Sequence, residues 1–225
     1  MDRKEVVIVL ESIGYDLFME VQPENIMSLG EVHKAYSHGC WTLPSMIAIW
    51  TGHLPTCSIR TCYHHELLQP NPFFMEELTK TRYVYLYTAN GWLTPFMYGV
   101  RRSGYFPKLY DNHICAQEII SSILSTTVTP FFALTLLTET HTPYNIEKEQ
   151  TFKDTKNMDE YKERQIKALK YLDEQLEPLI KGDFDLIITS DHGENFELGN
   201  YGHQLKEFRP KLMEVPLVSR WRKQI

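Results

Sequence analysis

Short apolar runs alternate along this chain with longer stretches in which apolar positions recur every three or four residues. The runs lie at 6–10, 83–87, 131–137 and 186–189. Each is bounded by polar or turn residues and rich in β-branched or aromatic types, the pattern of buried strands. The clearest helical stretch covers 158–180, with Ile166, Leu169, Leu172, Leu176 and Leu179 on one face and lysines and glutamates on the other. Gly182 stands where a C-terminal cap belongs. Further helices are predicted over 45–51, 72–80 and 113–125, the first two opening near prolines that suit a first helical turn.

Strands thus alternate with helices, which argues for an α/β fold: a mostly parallel sheet sandwiched by helices, with ligands at the carboxyl ends of the strands. With 225 residues, 43% of them hydrophobic and 12% aromatic, the chain can bury a full core, and a single domain over 1–225 is expected. It contains no internal repeat or low-complexity tract, and the polar stretch 145–157 is the best candidate for a mobile surface loop.

Charge narrows the partners. A net charge of −6 and a pI near 5.9 give no electrostatic footprint for nucleic acid, and no polybasic run suggests an anionic membrane surface. Small molecules are the expected partners. The N-terminal apolar run is about six residues long and ends at a carboxylate, which fits neither a signal peptide nor a membrane span. A cytoplasmic location is therefore expected. Cys40, Cys57, Cys62 and Cys115 form no CxxC pair and read as reduced, mostly buried thiols, with a Cys57–Cys62 bridge as the alternative.

Three segments carry candidate chemistry. The first run ends in Glu11 and Ser12, and a carboxylate at the end of a buried strand is costly unless it is paired or bound to a cation. The plainer alternative is that Glu11 marks the exposed end of the strand. The second segment, SDHGE at 190–194, directly follows the run DLIIT. There Asp191 and His192 can offer an oxygen and a nitrogen ligand from one tight turn, and Gly193 permits a sharp backbone, although DHG also occurs as an ordinary loop tripeptide. In the third, Thr42 precedes Pro44 and Ser45 at the start of an apolar helix. Unpaired N–H groups and a partial positive charge at such a start suit a phosphoryl or sulfuryl group. A simple helix cap by Thr42 or Ser45 is the alternative.

In this order the three segments resemble the alkaline phosphatase and sulfatase superfamily, and the likeness extends over nearly the whole chain. In that family a first strand ends in a metal-binding acid. A nucleophile sits on a TxPS or CxPS turn before a helix, a mid-chain HxPY carries a substrate-binding histidine, and DHGE supplies two more ligands. This sequence has Glu11, Thr42-Leu-Pro-Ser45, Thr51-Gly52 with Pro55, His141-Thr-Pro-Tyr144, Asp191-His192-Gly-Glu194, Gly202-His203, and VPLV at 215–218. The resemblance implies a metal held by Glu11, Thr42, Asp191 and His192, catalysis by Thr42, His141 and His203, and substrate contacts from His141, His203 and Ser45. One divalent ion, zinc or manganese, is expected, with room for a second. Oxygen ligands with one imidazole do not choose between the two metals.

Departures from the family pattern shape the expected function. Sulfatases carry Cys or Ser, converted to formylglycine, in a CxPSR signature; here Thr42 and Met46 stand at the Cys and Arg positions, and Cys40 lies two residues too early. Glu11 with a threonine nucleophile is more similar to the phosphoethanolamine and phosphoglycerol transferases, which are membrane-anchored, whereas no anchor is expected here. Most relatives also add a large C-terminal subdomain after VPLV, so an alkaline-phosphatase-like core without it is expected. The expected function is a metal-dependent hydrolase or transferase acting on a phosphate-type ester through covalent phospho-Thr42. A sulfuric ester hydrolase with unmodified threonine and a non-catalytic metal- or anion-binding member of the fold are the alternatives. His64 and His65 could line the pocket mouth, and Asp173 reads as a structural hydrogen-bond partner. The expected partner is a small-molecule phosphate or sulfate ester, and assembly into a homo-oligomer is allowed.

Overall fold

The computed structural model describes residues 3–52, 74–90, 93, 105–109, 115–144, 146, 157–197, 202–203 and 209–221. Its strands are β1 (Lys4–Leu10), β2 (His33–Tyr36), β3 (Tyr83–Thr88), β4 (Tyr105–Leu109), β5 (Phe131–Leu137), β6 (Asp185–Ser190) and β7 (Glu214–Arg220). The helices are α1 (Tyr15–Val21), α2 (Glu24–Met27), α3 (Thr42–Thr51), α4 (Phe74–Thr79), α5 (Ala116–Leu124), α6 (Met158–Lys181) and α7 (Pro210–Met213). The strands form one sheet in the order β2-β7-β6-β1-β5-β3-β4. β6, β1, β5, β3 and β4 run parallel, β7 is antiparallel to β6, and β2 is antiparallel to β7. The predicted mostly parallel α/β sheet is present.

Alternation of side chains along the strands divides the core into two layers. Val6, Ile8 and Leu10 of β1, with Phe131, Ala133 and Leu137 of β5, pack beneath α1, α5 and α6. Val9, Phe132, Leu134 and Leu136 face the other way, against Leu43, Met46, Ile47 and Trp50 of α3. Full burial of each such aliphatic or aromatic side chain contributes about 1.5–3 kcal/mol, so the central strands hold both helical layers in place.

The long helix begins where Asn157 accepts from the Asp159 N–H and ends at Gly182. Gly182 takes an extended conformation (φ −76°) rather than the left-handed one typical of a glycine cap. Its role is room: a Cβ there would meet the Phe184 ring at 2.6 Å. Asp173 is structural, as expected, accepting from the N–H groups of Asn25 and Ile26 and so capping α2 from a distant helix.

Cys40 and Cys115 are free, buried thiols. Among the described residues no helix is long and apolar enough to cross a membrane. Pro55, Cys57, Cys62, His64, His65 and nearly all of the predicted loop 145–157 lie outside the described residues.

Candidate active site

Strand register brings the sequence candidates to one edge. Leu10 is level with Leu137 on one side and Ser190 on the other, while Thr88 is level with Leu136. The residues that follow these strand ends are Glu11, the turn 138–141, Asp191-His192 and Asn90, all at the carboxyl edge of the sheet, where parallel α/β sheets place ligands. Thr42 arrives from the opposite layer as the first residue of α3.

The donor atoms form a continuous set. Thr42 Oγ1 donates to Glu11 Oε1 at 3.0 Å and stands 3.3 Å from His192 Nε2. His192 Nε2 is in turn 3.3 Å from Asp191 Oδ2. The Gly193 carbonyl can only accept, so His192 Nδ1–H donates to it at 2.8 Å and leaves the Nε2 lone pair toward Thr42 and Asp191. Asp191 Oδ1 accepts from the Ser12 and His192 N–H groups at 2.9 and 2.8 Å, while buried Asp191 Oδ2 has no hydrogen-bond partner. Gly193 matters here for close approach, because a Cβ would meet the Lys211 carbonyl at 2.5 Å. Among the described residues no group of three or more His, Cys, Asp or Glu side chains closes into a metal-binding cluster. The set is continuous only through the Thr42 hydroxyl.

Two further imidazoles complete the site. The His203 ring lies 4.4 Å from that of His192 and 5.2 Å from that of His141, centroid to centroid. His141 Nδ1–H donates to the Thr142 carbonyl at 2.9 Å, leaving Nε2 available. His203 Nδ1 meets Glu194 Oε1 at 3.2 Å. The His141 turn is seated by Tyr144, which is buried against Tyr161 and Ala168.

Burial governs the charges. It pushes Glu11 up to about 7 against hydrogen bonds from Thr42 and Asn90 that act the other way. Asp191 is likewise pushed up to about 7, by burial and then by the Glu11 carboxylate. Burial holds His192 well below the ordinary imidazole range, with His203 adding to the effect, and lowers His141 for the same two reasons. For His203 burial acts downward, but the Glu194 hydrogen bond and charge, with Asp191 and Glu11, raise it above the ordinary value. The two carboxylates therefore sit where a cation would relieve them.

A stability test follows from Glu11. Between pH 4.5 and about 7 the folded protein holds a proton that the unfolded chain has released, so this group's stabilisation is lost as pH rises through that window and changes little above it. Glu11→Gln removes the charge yet keeps an oxygen for Thr42 and Asn90. In chelator-treated protein, the Tm of Glu11→Gln relative to wild type should climb as pH rises to about 7 and then level off. A Tm difference flat across calorimetric scans from pH 4.5 to 8 would show that Glu11 is not desolvated.

No family model matches the sequence, and no curated protein matches it. Solved structures do. The C-terminal periplasmic domain of EcEptC from Escherichia coli is similar with a TM-score of 0.69 at 13% identity, over 97% of this chain and 72% of that one; the same domain has been solved as a complex with Zn. The C-terminal periplasmic domain of phosphoethanolamine transferase EptC from Campylobacter jejuni gives 0.66 at 17%, over 97% and 79%. BT1596, a 2-O GAG sulfatase, gives 0.69 at 12%, over 98% and 64%. These neighbours are members of the sulfatase and alkaline phosphatase superfamily. This chain has the alkaline phosphatase superfamily fold.

The comparison corrects one expectation. The EptC chains that share the alkaline-phosphatase-like fold are periplasmic domains, which overturns the expectation of a cytoplasmic location. A domain facing the periplasm has the same polar surface and the same lack of apolar spans as one facing the cytoplasm, so the sequence pattern did not report the compartment.

Within this fold the predicted Glu11, Thr42, Asp191, His192, His141 and His203 come together. Ser45 does not join them: its hydroxyl donates to the Trp41 carbonyl and meets Ser37 Oγ, each at 2.9 Å. Sequence reasoning missed Asn90, whose Nδ2 donates to Glu11 Oε1 at 2.7 Å, and Thr140, whose hydroxyl donates to the Glu11 carbonyl at 2.6 Å. It also missed Ser37, which donates to the Asp191 carbonyl. Asn90 had a readable signal, since it follows a predicted strand by two residues and so belongs to the ligand edge. Glu194 stood inside a quoted motif without a role and is the partner of His203.

Proposed function

We propose that this chain is a metal-dependent hydrolase or transferase of phosphate-type esters, with Thr42 as nucleophile. The observation that carries the reading is the Thr42 hydroxyl itself. It sits on the first residue of a ten-residue helix, between Glu11 Oε1 at 3.0 Å and His192 Nε2 at 3.3 Å. An anionic tetrahedral group brought to that helix start would meet free backbone N–H groups and a partial positive charge.

The donor set fits a divalent ion. Ligands 2.0–2.1 Å from a tetrahedral metal stand about 3.3 Å apart, and the successive separations of Glu11, Thr42, His192 and Asp191 are 3.0, 3.3 and 3.3 Å. Buried, unpartnered Asp191 Oδ2 supports the same set. These four residues would hold the ion, which when bound lowers the pKa of the Thr42 hydroxyl and neutralises the ester's charge. That the domain of EcEptC was solved as a complex with Zn favours zinc over manganese as the first metal to test.

Thr42 passes its proton along the existing hydrogen bond to Glu11 Oε1, and its Oγ1 attacks phosphorus as the bond to the leaving alcohol breaks. Water or an acceptor alcohol then takes the phosphoryl group, breaking the Thr42 ester and returning the proton to Thr42. His203, whose proton Glu194 holds more tightly than in a free imidazole, gives a proton to the leaving oxygen. His141 spends its Nδ1–H on the Thr142 carbonyl, so it donates Nε2–H to an equatorial oxygen only in the doubly protonated form that an arriving anion favours. Cys40 takes no part, because burial raises its thiol and keeps it from the reactive thiolate.

The test is a panel of p-nitrophenyl phosphate, its diester, a phosphonate ester and p-nitrophenyl sulfate, assayed on protein of measured zinc and manganese content. Turnover of a phosphate ester above that of the sulfate is expected, and sulfate as the faster substrate would overturn the phosphate assignment. His141→Ala should lower kcat by about 10²-fold with metal content unchanged. An unaltered kcat on a poor leaving group would reduce His141 to a turn residue.

A further inference from the structure

α6 supplies none of the proposed ligands or catalytic groups, yet it places one polar side chain between the two loops that do. Gln165 is fully buried, and its Nε2 donates to the Ser12 carbonyl and to the Thr140 carbonyl, both at 2.9 Å. Ser12 follows Glu11 and donates its own N–H to Asp191. Thr140 precedes His141 and donates its hydroxyl to the Glu11 carbonyl. One amide therefore ties the acid loop after β1 to the histidine turn after β5.

Gln165 answers two buried carbonyls, one on each loop, while its own Oε1 stays buried without a partner. The loop it grips is also held in an unfavourable conformation, with Ser12 at φ +64° although it is not glycine. A conformation of that kind persists only where its surroundings fix it, and Gln165 and Asp191 are the groups that grip Ser12 on either side.

We propose that Gln165 is a positioning residue that sets the spacing between the Glu11–Asp191 side of the site and His141. The role in turnover rests on the phosphoester reading above; the mechanical tie does not. Transition-state geometry spans both loops, and a displacement of about 1 Å can cost on the order of 10²-fold in rate. Loss of the tie should therefore appear in kcat more than in KM.

The experiment uses Gln165→Met, which keeps length and volume but deletes both N–H donors, and Gln165→Asn, which keeps the amide one methylene short as a milder second variant. Each is measured for kcat and KM on the best ester of the panel and for amide hydrogen exchange. The expected result is a kcat at least tenfold lower, KM within twofold, and faster exchange at 11–13 and 139–141 together, while 169–176 in α6 stay protected. Wild-type exchange at both loops in both variants would overturn the tie, and exchange that rises with kcat unchanged would overturn the role in turnover. Should wild-type protein turn over no ester while exchange changes as expected, the phosphoester reading falls and the tie stands.

Discussion

Thr42→Ala should fold and keep part of its metal through Glu11, Asp191 and His192, yet lose the chemical step by about 10³-fold or more, as expected when a nucleophile is deleted and only the surrounding site remains. The side chain is buried and its hydroxyl is held by Glu11, so the methyl of alanine leaves the helix start intact while removing the attacking oxygen. Thr42→Ser should keep part of the rate, because the oxygen remains. Intact-mass measurement after brief incubation with substrate should show an adduct on wild type that Thr42→Ala lacks. Cys40→Ala should change little, since that thiol is buried and burial raises it above its ordinary value. Normal turnover by Thr42→Ala together with a dead Cys40→Ala would displace the nucleophile by two residues and reopen the sulfatase reading.

The central strands were legible because they are buried on both faces: every residue of β5 is buried, and a continuous apolar run is what such a strand must be. The elements at and beside the edges of the sheet were not. β7 carries Pro216 and β4 carries Pro107, and a proline inside a run argues against a strand. β2 is a four-residue antiparallel strand exposed at three positions, including His33 and Lys34, so it offers no apolar pattern. α1 has no side-chain cap and α2 is a single turn, which removes the usual start signals.

Legibility of the site followed chemistry rather than position. Glu11, Thr42, Asp191 and His192 could be read because acids, hydroxyls and imidazoles at strand and helix ends are themselves unusual. Gln165 and Thr140 could not. Their function lies in bonds to backbone carbonyls far away in sequence, Gln165 reaching Ser12 over 153 residues and Thr140 reaching Glu11 over 129. Nothing in a helical heptad separates a glutamine that spans two loops from one that faces water. Ser45 misled in the opposite direction, because a serine beside a nucleophile reads as a substrate contact until its hydroxyl is found on Trp41 and Ser37.

Asp191→Asn should remove most metal binding while leaving the turn in place. Asp191 uses its oxygens differently: Oδ1 accepts from Ser12 and His192, and Oδ2 is buried without a hydrogen-bond partner. Asparagine keeps an oxygen for the two N–H groups and replaces only the free one with an amide, so it separates loss of a ligand from collapse of the loop. Wild-type protein at a metal concentration of 100 times Kd should gain about 2.7 kcal/mol of stability, since the ion binds the folded state alone. At one fixed metal concentration the gain should be larger at pH 8 than at pH 6, because both carboxylates are pushed up to about 7 and must release their protons to hold a cation. In Asp191→Asn the rise in Tm on adding zinc or manganese should nearly vanish at either pH, and bound metal measured after desalting should fall with it. Full occupancy with an undiminished rise in Tm would place the metal, if any, away from Asp191 and leave Glu11, Thr42 and His192 without their fourth donor.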